Sequence, residues 1–387
     1  MQSRRALSVL FSIVIIDLVG FGIVVPVLPF IIEQFDATAW VLGLLVASYA
    51  AMQFVFAPIW GRLSDRIGRR PVMLMTIAGS CAALLLAGLT SSLVWLFVAR
   101  IMGGAFAANI SVASAYIGDA TDESERTRWM GLLGASFAVG FTLGPLIGGL
   151  LGPFGYHVPL LVAAGMAAVN LVWAALVLRE PPEHVIGVEP QDAGAAQVDP
   201  RVRKICRANL LFSMAVTQLE TVFAFLMIER FDYDIRGVAY ILFGIAVVMG
   251  AVQGGGIRAL AARFGERNLL YAGAALMVLA FAAIPFAPTV SILLIPLVVS
   301  AVGRGICQPS MLSMASSFAS PATRGAVMGS FTSQASLARA LGPIPAGFLF
   351  DVSIGLPFWL AAALLLAMLA MLVSSGGLPA RVGGEEG

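Results

Sequence analysis

Charge is what this chain has least of. Its 387 residues hold 23 basic and 21 acidic side chains, 11% together, whereas soluble domains average roughly a quarter. A water-facing globular domain is excluded on that ground. Cysteine is as scarce: Cys81, Cys206 and Cys307 lie far apart in or beside apolar runs, so buried free thiols are expected and a disulfide or metal cluster is not. The two histidines, His157 and His184, make no ligand pattern. No stripe of Lys/Arg with interleaved aromatics is present to bind nucleic acid. A nucleotide-cradling loop, metal-ligand spacing and a nucleophile constellation are also missing, so neither an enzyme nor a bound cofactor is expected. With no pore loop and no ring of charge, an ion channel is disfavoured as well.

What the chain has instead is apolar length. Windows of about 20 residues, each able to cross a hydrocarbon core about 30 Å thick, recur at roughly 8–32, 40–60, 71–90, 93–117, 129–151, 158–178, 207–229, 237–257, 268–287, 290–315, 326–350 and 354–375. The expectation is an all-α membrane protein with twelve transmembrane helices, spans 1 to 12 in chain order. Met1 to Arg5 ahead of an apolar run imitates a secretory leader. That run is too long, contains Asp17 and lacks a small-residue cleavage site, so it reads as an uncleaved first helix.

The densest charge is Gly61-Arg62-Leu63-Ser64-Asp65-Arg66-Ile67-Gly68-Arg69-Arg70, between spans 2 and 3. Its arginines belong on the cytoplasmic face by the positive-inside rule, which also places every even-to-odd loop and both termini inside. Arg4, Arg5, Arg126, Arg128, Arg179, Arg201, Arg203, Lys204, Arg207, Arg258, Arg263, Arg267, Arg324 and Arg381 fall on that side. Arg230 and Arg236 fall opposite, and Arg100, Arg304 and Arg339 lie within spans. The formal charge of +2 therefore reflects topology more than partners.

One long hydrophilic segment, 180–204, carries Pro181-Pro182, Pro190, Pro200 and Gly194-Ala195-Ala196 and reads as a cytoplasmic linker. It separates two six-helix bundles, 1–179 and 205–387, that look like copies. Arg100 in span 4 is matched by Arg304 in span 10, Trp129-Met130-Gly131 by Val327-Met328-Gly329, and Gly144-Pro145 in span 5 by Gly342-Pro343 in span 11. The charged loop has a weaker partner at Arg258 to Arg267, with Ala262 where Asp65 stands. Two six-helix repeats related along the membrane normal are a known way to build a secondary transporter, with its substrate site at the midplane between them.

These motifs carry a family resemblance. The Gly61 to Arg70 stretch resembles the helix 2–3 signature of the major facilitator superfamily, and Arg100-Ile101-Met102-Gly103-Gly104 resembles its helix-4 motif. Gly140-Phe141-Thr142-Leu143-Gly144-Pro145-Leu146-Ile147-Gly148-Gly149 is similar to the helix-5 motif of its drug/proton exchangers. With Asp17-Leu18-Val19-Gly20-Phe21-Gly22 and Pro26-Val27-Leu28-Pro29, the first half resembles the tetracycline-resistance branch of the twelve-helix drug/proton antiporters. The resemblance implies the major facilitator fold, an inner-membrane location and a proton-coupled secondary transporter that exports a lipophilic small molecule or drug by alternating access. A facilitator or symporter for an endogenous metabolite or organic anion is the alternative. The partners expected are a small-molecule substrate, protons and the lipid bilayer, without nucleic acid, and the protein is expected to be monomeric.

Asp17 and Glu220 fall near mid-membrane on spans 1 and 7, equivalent in the repeat. A charged side chain there costs roughly 2.5–3.5 kcal/mol on insertion scales, so it calls for a reason. Both are candidates for proton coupling, as is Arg100, the match to the family arginine. A permanent structural ion pair is the competing reading. Arg304, Gln53, Asn109, Gln218, Phe223, Gln253, Gln308, Met311, Phe331 and Gln334 are candidate substrate contacts, since Phe and Met with a few amides suit a bulky, partly lipophilic ligand. Gly61, Asp65, Arg66, Gly68, Arg69 and Arg70 are candidate gating residues, Asp65 as a breakable latch. Gly140, Gly144, Pro145, Gly148 and Gly149 are also gating candidates: the glycines give a bare face for close packing and Pro145 gives a bend.

Overall fold

The computed structural model describes residues 2–121, 123–181, 200–319 and 324–374, and among them there is no strand. Span 1 is two helices, α1 (Gln2–Val24) and α2 (Val27–Gln34). Spans 2 and 3 are α3 (Ala39–Ile67) and α4 (Arg69–Leu89), and span 4 is α5 (Leu93–Phe106) followed by α6 (Asn109–Ala120). Spans 5 and 6 are α7 (Glu123–Leu151) and α8 (His157–Val177). In the second half, span 7 is α9 (Pro200–Phe231), and span 8 is α10 (Ile235–Ala251), a π turn (Val252–Gly256) and α11 (Ile257–Phe264). Spans 9 and 10 are α12 (Glu266–Ala283) and α13 (Val290–Ser317). Span 11 is α14 (Arg324–Leu341) with α15 (Pro343–Val352), and span 12 is α16 (Leu356–Ser374).

Eleven helical stretches among the described residues are long and apolar enough to cross a bilayer. Span 11 is the remaining one; its first helix, α14, carries Ser330, Thr332, Ser333, Gln334, Ser336 and Arg339. The bulk of the expected linker, 182–199, lies outside the described residues.

The breaks have local causes. At Val25-Pro26 a proline cannot donate to the helix ladder, so α1 stops and α2 starts afresh. Pro145, in contrast, sits inside an unbroken α7. The span-4 break at Ala107-Ala108 involves no proline. There the carbonyls that the break exposes are taken by span 2: Gln53 Nε2 donates to Ala107 O at 3.0 Å and Trp60 Nε1 to Ala105 O at 2.6 Å. In span 11 the Gln218 amide donates to Gly342 O at 3.0 Å, a carbonyl beside Pro343 that also accepts from the Ala346 N–H at 3.3 Å. Buried backbone groups in a membrane must be satisfied within the protein, and these side chains do so.

By contacts the chain forms two compact units. The first comprises Met1–Ala37, Ser48–Gln191 and Tyr233–Phe243, and the second Thr38–Ala47, Asp192–Asp232 and Gly244–Gly387. In the first unit, Leu7, Leu10, Val14 and Leu18 of α1 pack with Met73, Ile77, Val112 and Tyr116. Gly140, Gly144 and Gly148 of α7 lie directly on the α1 backbone at Leu18, Gly22 and Ile23, with no room for a Cβ. Gly149 and Gly152 instead abut Ala239 and Ile235 of α10. In the second unit the first turns of α3 lie against α15. Gly43 has no space for a Cβ against the Pro343 carbonyl, Gly347 has none against Ala39, and the Trp40 and Phe348 rings meet edge-on at 5.7 Å. Large apolar side chains such as Leu89, Val94, Leu176 and Leu279 are exposed, as suits surfaces that face lipid.

Candidate functional site

In the first unit Asp17 sits half-buried on α1. The polar neighbour of its carboxyl is the Asn109 side chain, at the start of α6 just past the span-4 break. Asn109 is itself buried, its Oδ1 accepts from the Thr76 hydroxyl, and its Nδ2 is left without a well-aligned acceptor. No cation lies within ion-pair distance of Asp17 among the described residues. Arg100, on α5, is buried with its guanidinium 4.2 Å above the centre of the Tyr49 ring and its Nε unpartnered. A cation over an aromatic face is stabilised by about 0.5–2 kcal/mol, which compensates only in part for taking it out of water. Among the described residues, the first unit thus holds a carboxyl and a guanidinium within its spans, and neither is in an ion pair.

The second unit treats the matching positions differently. Arg304, midway along α13, binds Glu220 of α9 through Nη1 and Oε1 at 2.5 Å. Both side chains are accessible, at 31% and 45% exposure. Exposed pairs are worth about 0–1 kcal/mol, so this pair contributes little to stability.

At the arginine-rich loop, Gly68 turns the chain with φ +105°. Arg69 is buried at the centre of a cluster, bonded to Asp65 at 2.6 Å, to Asp119 at 2.7 Å and to the Ser64 hydroxyl at 2.6 Å. Asp65 therefore clamps an arginine of its own unit. Arg66 is exposed, and Arg70 donates to the Ala175 carbonyl at 2.7 Å. Of the other acids near the end of span 4, Asp122 lies outside the described residues and Glu123 is described for its backbone alone.

The Major Facilitator Superfamily profile matches residues 10–343 and, again, 257–383. The chain belongs to the major facilitator superfamily. It is similar to the class D tetracycline resistance protein of Salmonella ordonez, 32% identical over 351 residues, which are 88% of each chain. It is also similar to multidrug resistance protein 1 of Bacillus subtilis (strain 168), 28% identical over 379 residues, 96% of this chain and 97% of that one. Among solved structures, a bacterial homologue of the human lysosomal transporter Spinster superposes with a TM-score of 0.78 at 16% identity, covering 96% and 95%. The protein is a multi-pass membrane carrier of small molecules and not an enzyme.

The remaining candidates in this facilitator protein divide by access. Gln308 is exposed one turn beyond Arg304, and Gln53, Gln253 and Gln334 are half-buried. Asn109, Gln218, Phe223, Met311 and Phe331 are buried in the conformation described. Gln218 spends its amide on the Met214 and Gly342 carbonyls, and the Phe331 carbonyl accepts from Asn209 at 2.8 Å.

Three contributors escaped the sequence reading. Tyr49 has no signal beyond helical depth. Glu180 accepts from the backbone N–H groups of both Arg69 and Arg70, the latter at 2.9 Å, and so caps α4 from 110 residues away. Its signal is indirect: the N-cap of α4 is Gly68, which has no side chain with which to cap it. Asp351, near the end of α15, accepts from the Ala39 and Trp40 N–H groups at 3.0 Å each. An acid at a helix C-terminus opposes the helix dipole, which is the cue that a distant N-terminus is its partner.

Proposed function

We propose that this carrier exports a lipophilic small molecule across the bacterial inner membrane in exchange for protons, by alternating access. The observation that carries the reading is the Asp17 carboxyl within span 1, with the Asn109 side chain as its polar neighbour, in the same unit as Arg100; among the described residues neither has an ion-pair partner. A carboxyl without a fixed cation can be emptied and refilled with a proton as its surroundings change. Glu220 is already compensated by Arg304, so it suits that task less well. The names of the tetracycline and multidrug resistance relatives support efflux of a drug-like substrate.

In the cycle, an external proton binds Asp17 Oδ in the outward-open state and removes the charge that opposes closure. After reorientation, the proton leaves to the cytoplasm and substrate is taken up there. Arg100, which cannot lose its own proton, keeps a fixed positive charge in the same unit through the cycle. The Asp65–Arg69–Asp119 cluster and the Glu180 cap fix the inner end of the first bundle so that it moves as one body.

The test is flux in proteoliposomes under an imposed pH gradient. Acceleration by the gradient in the intact protein, and its loss in Asp17→Asn, is expected. Flux indifferent to the gradient in the intact protein would overturn proton coupling.

A further inference from the structure

The Glu220–Arg304 pair has features that a structural tether lacks. It is open to water at the middle of two spans whose mean hydropathies are 1.7 and 2.1, which requires a hydrated cavity at that depth. It is held by one bond, from Arg304 Nη1 to Glu220 Oε1. Among the described residues, Glu220 Oε2 has no second protein partner, and Arg304 Nε is buried without one. A tether evolved for stability has its remaining donors and acceptors filled by protein, because half-satisfied polar networks are costly. Gln308, one helical turn beyond Arg304 and exposed, adds an amide to the same face.

We propose that the exposed Glu220–Arg304 pair, with Gln308 beside it, is the docking site for the polar end of the substrate, and that it selects molecules carrying both charges or an adjacent hydrogen-bond donor and acceptor. The pair as a whole is neutral, with separated plus and minus poles. A ligand with a cationic or donor group next to an anionic or acceptor group aligns head to tail and engages both poles. A lipophilic monocation gains at Glu220 but is repelled by Arg304 a few ångströms on, and a monoanion meets the reverse. Selectivity for the ligand's charge pattern thus resides in the second half, apart from the proton chemistry at Asp17. The inference rests on the carrier exporting small molecules but not on proton coupling.

The experiment uses purified full-length protein in lipid nanodiscs without a gradient, titrated with three xanthene dyes of one skeleton: rhodamine B (a zwitterion), rhodamine 6G (a cation) and sulforhodamine B (net anionic). The readout is each variant's Kd relative to the intact protein for the same dye, so that partitioning into lipid cancels. Glu220→Gln leaves a net positive site and is expected to weaken rhodamine B about tenfold while strengthening sulforhodamine B. Arg304→Gln is expected to weaken rhodamine B similarly and strengthen rhodamine 6G. The exchanged pair, Glu220→Arg with Arg304→Glu, keeps both poles and is expected to retain the zwitterion preference; it also separates loss of docking from loss of folding. Equal shifts for all three dyes in both single variants, or an exchanged pair that is well folded yet no longer prefers rhodamine B, would overturn the proposal. A carrier whose flux ignores the pH gradient but whose dye selectivity shifts as stated would refute proton exchange and leave this assignment intact.

Discussion

Arg100 and Arg304 occupy matching places in the two repeats, and the protein handles them in opposite ways. Among the described residues, the first is buried beneath the Tyr49 ring without a carboxylate, and the second is accessible and paired with Glu220. Each repeat carries a cation, in span 4 and in span 10, and its neighbours decide what it can do. Covering a guanidinium with an aromatic ring keeps its charge in the span without a fixed counter-charge. Giving it a solvated carboxylate turns it into half of a dipole that a ligand can grip.

The contrast can be broken from its most severe side first. Gly144→Leu removes the bare contact of α7 with the α1 backbone, at a site with no room even for a Cβ. It is expected to cost about 1–3 kcal/mol or more by overpacking, read as a loss of folded protein in a detergent thermal melt. Tyr49→Leu, which uncovers Arg100, is expected to cost about 0.5–2 kcal/mol and to slow gradient-driven flux. Gln308→Leu, its nearest equivalent beside Arg304, should leave the melt unchanged. If both substitutions act alike on stability, the two arginines are not in different settings. Asp351→Asn keeps one acceptor but removes the charge at the start of α3, and Glu180→Gln does the same for α4. Each is expected to cost about 1 kcal/mol, measured as a lower thermal midpoint.

The sequence made the spans, the repeat and the intramembrane charges legible because each has a signal confined to neighbouring residues: apolar length, Gly-Pro steps, an arginine where hydrocarbon was expected. The break at Val25-Pro26 belongs to that group. The break at Ala107-Ala108 does not, since nothing in Phe106-Ala107-Ala108 stops a helix and the span-2 side chains that satisfy its carbonyls are some 50 residues away. A latch role for Asp65 is legible from its place among arginines, whereas its pairing with Arg69, four residues along, and the completion of the cluster by Asp119 depend on the fold. Glu180 looked like the first residue of a linker because its role, capping α4, exists only once the chain has folded back on itself. Likewise the depths of Asp17 and Glu220 were readable from one strand of text, whereas the choice of Asn109 for one and Arg304 for the other depended on packing.

The most direct test of the division between the halves is sulforhodamine B and rhodamine B flux in proteoliposomes, with and without an imposed pH gradient, for Asp17→Asn and Glu220→Gln side by side. The expected result is that Asp17→Asn loses the response to the gradient for both dyes, while Glu220→Gln still responds to the gradient but shifts its preference toward sulforhodamine B. The opposite pattern, with Glu220→Gln uncoupled from the gradient and Asp17→Asn altered only in its choice of dye, contradicts the assignment of proton and substrate to separate halves.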